Sequence, residues 1–392
     1  MASQAYDVVL AGGGVMGCAT AYYLLRYDPS LHIAIIEQEP GYEHNSTVLS
    51  DGNTRIQFNI KENIQMSQYG LQVLETFAEE MEIDGRRPDP AFRQQGNLFT
   101  CGVDSVTSMQ DGLALQRSLG CQVEWLEPGA IASRFPLYDP SRLAGGVFGA
   151  QDGTMDPQAV LAGYRDKAGE MGAKFVEGRV DRILCQGERV AGVRLASGEQ
   201  LAAPYVANTA GAWAADLART AGIEIPVIPV RRQVFVFEAA VVPHETYPLT
   251  VFPSGLYLIQ EHGPVFMAGK SMDDDPVGYD FTWSRQTFEE RIWPELVEYV
   301  PAFDRLKLVR GWAGLYAVNT FDGNAILGEW PGLRGLLLAN GFSGHGFQQC
   351  HAVGRYLAEL VLERPLSLDL GIFSPQRILE NQPVFEGQGR LV

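Results

Sequence analysis

Apolar and polar residues follow two distinct periods along this chain, and the switches between them predict its elements. Val8-Val9-Leu10-Ala11 is a short unbroken apolar run ending at glycines, which predicts a strand buried on both faces. Ala19, Ala21, Tyr22, Leu24 and Leu25 then recur at helical spacing, and residues 32–36 predict a second strand ending at Glu37. A polar, short-chained stretch over 41–58 predicts an extended loop, followed by a helix from about 61 to 82. Short strands, including 96–100, and a helix across 105–119 come next. Residues 145–149 predict a strand, and Asp156-Pro157 supplies an acid cap and a first-turn proline for a helix to 171. Strands are expected at 174–176, 190–195 and 205–208, and runs at 226–237, 256–260 and 265–269 predict an antiparallel sheet. A helix over 285–300, a buried strand at 335–339 and a helix ending near 361 complete the pattern.

The first strand, helix and second strand enclose Gly12-Gly13-Gly14-Val15-Met16-Gly17, a G-x-G-x-x-G. Gly12 permits the tight turn, Gly14 lets backbone approach a pyrophosphate, and Gly17 lets the helix lie close on the sheet. The helix N-terminus offers unpaired N–H groups and a positive dipole end to phosphates. Glu37 is placed to accept ribose hydroxyls and would repel the extra phosphate of NADP. The sequence therefore predicts a dinucleotide site. Asn45, Ser46, Thr47 and Ser50 either bond that cofactor or cap the helix that follows. The small residues of Thr209-Ala210-Gly211-Ala212-Trp213 admit a flat ligand near the backbone or serve tight helix packing. Gly341-Phe342-Ser343-Gly344-His345-Gly346-Phe347 opens a second glycine-rich helix entry, whose dipole can face an electron-rich part of a ligand.

Composition narrows the partners. A net charge of −17, dispersed along 392 residues, argues against nucleic acid or an anionic membrane surface. Hydrophobic content of 46% fits a globular enzyme of two joined domains, and no apolar run approaches the roughly 20 residues of a membrane span. The first strand begins too early to leave space for a signal or transit peptide, so a cytoplasmic location is expected. Five scattered cysteines without metal-ligand spacing predict packed thiols and no structural metal.

The opening motif with Glu37, the 209–213 turn and the 341–346 turn together resemble the D-amino-acid oxidase superfamily of flavoproteins, which includes sarcosine oxidases, glycine oxidase and dimethylglycine dehydrogenase. Leu49-Ser50, Gly52, Glu62-Asn63-Ile64-Gln65, Trp312-Ala313-Gly314-Leu315-Tyr316 and Asn319-Thr320-Phe321-Asp322 resemble the FAD-dependent oxidoreductase domain-containing proteins, known in mitochondria as complex I assembly factors; this chain would be a soluble relative without their leader. The resemblance implies an α/β fold: a Rossmann-like FAD domain of the glutathione-reductase-like variant, with an α+β substrate domain whose antiparallel sheet roofs the flavin. It implies an FAD domain of 1–85, 145–220 and 310–365, a substrate domain of 86–144 and 221–309, and a tail of 366–392 that either packs on the FAD domain or meets a partner.

By the same resemblance the cofactor is FAD. Its expected contacts are Gly12, Gly14, Val15, Met16, Gly17, Glu37 and Gln38, the loop residues Asn45, Ser46, Thr47, Ser50, Asp51 and Gly52, then Val180, Ala210, Gly211, Trp213 and Gly314, and finally Gly341, Gly344, His345, Gly346, Phe347 and Gln348. The positions that attach FAD covalently in sarcosine oxidases and dimethylglycine dehydrogenase hold Gly314 and Leu49 here, so non-covalent FAD is expected. The basic pair that clamps substrate carboxylate in sarcosine oxidases is replaced by Phe58 and Gln348, and their oxygen-activating lysine by Met267, with Lys270 nearby. The expected reaction is oxidation of the C–N bond of a secondary amine or amino acid by hydride transfer to flavin N5, with Arg55, Tyr257, Tyr316, His345 and Gln348 in the pocket; Arg55 either binds substrate carboxylate or pairs with a carboxylate of the protein and pins the loop. Arg231 and Arg232 are a further pair of pocket candidates, or else surface or domain-interface charges. Oxygen, a quinone or a carrier protein would take the electrons. The competing readings are an FAD-containing assembly or binding protein and a 2-hydroxy acid oxidase.

Overall fold

The computed structural model describes residues 4–387, so residues 1–3 of the expected first segment and 388–392 of the expected tail lie outside the described residues. A six-stranded sheet runs in the order Ile326–Glu329, Leu336–Asn340, Tyr205–Asn208, Val8–Ala11, Ile33–Glu37, Lys174–Glu177, parallel except for the first pair. Alternation along its central strands explains their unbroken apolar runs. Val8, Leu10, Ile33 and Ile35 enter a core shared with the helices Val15–Tyr27, Lys61–Glu80, Pro157–Glu170 and Gly346–Val361. Val9, Ala11, Ala34 and Ile36 face the opposite core, closed by a smaller four-stranded sheet.

The second large sheet has eight strands, ordered Leu306–Asn319, Val227–Ala239, Val265–Lys270, Leu256–His262, Leu249–Val251, Asn97–Cys101, Gly145–Gly149, Val123–Leu126. Every pair is antiparallel except Leu249–Val251 with Asn97–Cys101. Phe235, Phe237, Leu258 and Phe266 point to one side, where they pack with Phe288 and Phe303. Val234, Val236, Tyr257, Ile259 and Met267 point to the other, toward the parallel sheet.

Three expectations are corrected by this architecture. The segment boundary expected at 145 fails because strand Gly145–Gly149 pairs with Asn97–Cys101 and Val123–Leu126 inside the antiparallel sheet. The one expected at 310 falls inside strand Leu306–Asn319, which pairs along its length with Val227–Ala239. The single helix expected over 285–300 is broken by a π turn at Phe288–Ile292 before Trp293–Tyr299. Pro294 has no N–H to donate back to Glu290, and a wider turn accommodates the missing bond.

The described part of the tail, up to residue 387, packs on the body. Phe373 is fully buried in the first core, and Arg377 donates to both oxygens of buried Asp322 at 2.8 and 3.0 Å. The helix Lys61–Glu80 begins at Ile60 without a side-chain cap, and none of the four loop hydroxyl or amide residues reaches it. Glu386 lies just before its first turn, where its carboxylate accepts the N–H of Asn59 at 2.5 Å and that of Ile60.

Candidate functional site

Between the two large sheets lies a cavity of about 240 Å3. Its floor is the C-terminal ends of the parallel strands: Ala11 and Gly12, Ile36 to Gln38, Thr209 to Trp213, and Ala339. This is the crevice where open α/β sheets bind nucleotides. Its roof is Arg232, Val234, Tyr257 and Gly314 to Ala317 of the antiparallel sheet.

Nineteen expected cofactor residues line this cavity: Gly12, Gly14, Val15, Met16, Glu37, Gln38, Asn45, Ser46, Thr47, Ser50, Asp51, Val180, Ala210, Gly211, Trp213, Gly314, Gly344, Gly346 and Phe347. Gly17, Gly52 and Gly341 do not line it; they are backbone necessities. A Cβ on Gly17 would overlap the Gly12 carbonyl oxygen, one on Gly52 the Met155 carbonyl oxygen, and Gly341 has φ +67° with Asn319 Cβ 3.0 Å from where a Cβ would sit. His345 and Gln348 line a second, inner chamber.

The loop hydroxyls are partly committed to protein. Thr47 Oγ1 accepts the Val15 N–H at 3.2 Å, so the loop caps the helix before it, not the helix after it. Ser46 donates to the Leu315 carbonyl at 2.8 Å, and Ser50 accepts from Gly52 N at 3.1 Å. Glu37 accepts from the N–H groups of Gly13 (3.1 Å) and Glu39 (2.9 Å), while burial holds its carboxyl above the usual range. The residues present fit FAD. The cavity spans from Glu37 to the Gly344 turn, and a Cβ on Gly14 would project to within 3.2 Å of Asn45, filling the space over the first helix's N-terminus. The Gly346–Val361 helix starts without a side-chain cap, leaving N–H groups at the other end. Leu49 and Gly314 lie against each other and offer a flavin no nucleophile.

The inner chamber, about 40 Å3, is lined by Ser50, Asp51, Asn53, Arg55, Leu249, Val251, Tyr257, Tyr316, Gly344, His345, Phe347 and Gln348. All five residues expected in the substrate pocket meet here. Ser50, Asp51, Tyr257, Tyr316, Gly344 and Phe347 line both spaces, so the chamber opens onto the larger cavity. The Arg55 guanidinium sits 5.0 and 5.1 Å from the ring centroids of Phe58 and Phe99, and its backbone N–H donates to Gln348 Oε1 at 2.7 Å. Burial lowers its pKa against the pull of Glu386, Tyr316, Asp152 and Asp51. Burial also pushes Tyr316 up to about 12, and the Tyr257 hydroxyl bonds the Asp51 carboxylate. Gly344 is obligatory for this packing, since a Cβ there would strike the Tyr316 ring.

Arg232, read from sequence as either a pocket candidate or a surface or interface charge, lines the large cavity, pairs with buried Asp275 and lies 5.5 Å from the Tyr316 ring centroid. Strand alternation separates it from Arg231, which pairs with Asp280; the phase of that alternation was the missing signal. Lys270 pairs with Glu295 at 2.7 Å and lines neither space. Glu386 had no signal in the sequence.

Behind the chamber, Asp152 accepts from Ile56 N and Gln57 Nε2, both at 2.9 Å, and burial pushes it up to about 7. Because its folded pKa exceeds the ordinary 3.8, its stabilisation is complete below that value and is lost as pH rises toward 7. Asp152→Asn removes this titration. Thermal unfolding from about pH 4 to 8 is therefore expected to show the wild type's advantage over the variant shrinking as pH rises, by about 4 kcal/mol at most. A constant gap would contradict the assignment.

Comparison with known proteins agrees with this geometry. Residues 7–360 match the model of the family DAO, described as FAD dependent oxidoreductase. FAD-dependent oxidoreductase domain-containing protein 1 of Xenopus laevis is 34% identical, covering 97% of this chain and 84% of its own length. Sarcosine oxidase subunit beta of an Arthrobacter species is 26% identical over 93% of this chain and 91% of its own. The crystal structure of L-proline dehydrogenase from P. horikoshii superposes with a TM-score of 0.86 at 26% identity, covering 98% of this chain and all of that one. Among the described residues no helix is long and apolar enough to cross a membrane. The nucleotide crevice, its acid, its two glycine-rich helix entries and the matched family model agree: the chain belongs to the DAO family of FAD-dependent oxidoreductases.

Proposed function

We propose that the protein oxidises the C–N bond of a small amino acid or secondary amine, with hydride leaving the carbon beside nitrogen and the product imine hydrolysing afterwards. One observation carries the reading: a small chamber holding a buried guanidinium opens directly onto the cofactor cavity. At about 40 Å3, against roughly 10–15 Å3 for a single water, the chamber takes a ligand of few heavy atoms. The names of the sarcosine oxidase subunit and of proline dehydrogenase point to molecules of that size. FAD supplies the hydride acceptor at N5.

The chain's own residues orient the substrate and keep water out. Arg55 binds the carboxylate in place of the family's basic clamp. Gln348, whose Oε1 is held by the Arg55 N–H, assists it from the same chamber. Tyr257 and Tyr316 roof the reacting carbon, and Leu249 and Val251 close the chamber to solvent. Anaerobic mixing with sarcosine, dimethylglycine, proline and D-amino acids is expected to bleach the flavin with at least one of them. If none bleaches it and a protein partner is captured instead, the assembly reading replaces this one; bleaching by 2-hydroxy acids alone selects that chemistry. With a bleaching acid in hand, Arg55→Met is expected to weaken its binding about 10–150-fold, the value of one charge-assisted hydrogen bond.

Met267 stands on the cavity side of the antiparallel sheet, and Lys270 is held by Glu295. Without a lysine there to stabilise superoxide, a quinone or carrier protein reoxidises the flavin faster than oxygen. Turnover with oxygen alone at the speed of flavin reduction would refute this.

A further inference from the structure

We propose that Asp51 binds the substrate nitrogen and accepts its proton, so that the inner chamber is built for a zwitterion with its carboxylate on Arg55 and its ammonium on Asp51. The inference rests on the amine-oxidising reading and assigns the amine side of the site.

Asp51 is one of the residues lining both the chamber and the cofactor cavity, where the reacting nitrogen must sit if its neighbouring carbon is to face the flavin. The residue is half-buried, and its carboxylate accepts the Asn53 N–H and receives the Tyr257 hydroxyl. The groups acting on it are the Asn53 N–H and Arg55 from its own segment, Tyr257 from strand Leu256–His262 and Tyr316 from strand Leu306–Asn319; Arg232 from strand Val227–Ala239 acts on both tyrosines, and His345 from the helix entry lines the same chamber. Arg232 is already engaged by Asp275. Burial raises the Asp51 carboxyl above its ordinary value, so it is a better proton acceptor than a surface acid.

The chemistry needs such a group. An ammonium nitrogen has no lone pair to push hydride off the adjacent carbon, so one N–H bond must break first. The proton would form an O–H bond on Asp51, the two opposite charges would cancel, and the freed electron pair would let the adjacent carbon release hydride, for which bound FAD would supply the acceptor. Asp51 returns the proton to solvent before the next turnover. An acid at this point also sets specificity. A 2-hydroxy acid brings a carboxylate to Arg55 but leaves the Asp51 charge uncompensated in a closed site, whereas an amino acid neutralises both.

The test compares sarcosine with methoxyacetate, which has an ether oxygen where sarcosine has its nitrogen, on the FAD-loaded protein. Methoxyacetate binding, read from the flavin's visible spectrum and not from turnover, is expected to weaken in the wild type as pH rises and Asp51 ionises. In Asp51→Asn it is expected to be independent of pH and about tenfold tighter on the alkaline side, while the sarcosine concentration that half-bleaches the flavin rises by a similar factor. Tyr257→Phe keeps the acid but removes its hydroxyl donor, so the methoxyacetate pH midpoint is expected to move upward. A midpoint unmoved in Tyr257→Phe, an Asp51→Asn profile that matches the wild type, or a wild type that does not bind methoxyacetate would each overturn the assignment. A wild-type flavin that no amino acid bleaches overturns the amine reading instead, and the methoxyacetate titration still decides whether Asp51 faces the ligand.

Discussion

Arg377→Met is expected to destabilise the protein by about 3–5 kcal/mol, the range for removing one partner of a buried ion pair. Both side chains are withdrawn from solvent, with exposures of 5% for Arg377 and 0% for Asp322. The guanidinium donates to the Asp322 carboxylate and to the carbonyls of Phe373 (2.5 Å) and Ala325 (2.9 Å). Asp322 in turn accepts from Asn319 Nδ2 (2.8 Å), Asn324 N (3.1 Å) and Val384 N (3.1 Å). Methionine would fill the space and leave the aspartate charged and unpaired. Denaturant unfolding measures the loss, and a value below about 1 kcal/mol would show that the pair is not isolated from water. The double variant Arg377→Met, Asp322→Leu is expected to recover much of the loss, because no charge is then left buried. The same cluster ties the chain end down two residues before Glu386, so the single variant is also expected to expose residues 380–387 to protease.

Gly17→Ala is expected to yield protein without flavin. The added Cβ would overlap the Gly12 carbonyl oxygen and stand 3.2 Å from Thr209 Oγ1, so the first helix must move off the strand that positions it. Overpacking of this kind costs about 1–3 kcal/mol. The lost ligand removes a further ~3–4 kcal/mol if FAD otherwise saturates the protein at a hundred to a thousand times its Kd. Visible absorbance of the purified variant and its melting temperature with and without added FAD give both numbers. Gly85→Ala is the control: φ there is +76°, but no atom lies within 4 Å of a Cβ, so any effect is conformational strain far from the cofactor. A yellow Gly17→Ala protein with unchanged stability would show that the helix and strand do not need this contact.

The features read correctly from the chain are those whose cause is local. Val8 to Ala11 is a strand because β-branched and apolar residues in a short run suit a site buried on both faces, and Gly12 with φ +125° turns it into the helix that follows. Glu37 lies beside the Gly13 N–H because the next strand is the immediate neighbour in the sheet. Strands 227–239, 256–262 and 265–270 alternate clearly enough to be recognised as antiparallel. The division of the chain near 145 and 310 was misplaced because strands on either side of those points join one sheet, and apolar alternation does not say which sheet a strand enters.

By itself, then, the sequence determined the nucleotide-binding unit and both glycine-rich helix entries, since motif spacing and period are properties of neighbouring residues, whereas the five side chains that line the inner chamber were candidates named beside the family resemblance. Tertiary structure alone decided that Thr47 caps the helix before it, that Glu386 bonds the backbone leading into the helix Lys61–Glu80, and that Arg232 rather than Arg231 faces the cofactor cavity. Each of those contacts joins residues 32 or more positions apart or depends on the phase of a strand. A hydrogen bond or a facing direction of that kind is set by how whole elements pack, and only the folded chain brings the two partners within reach.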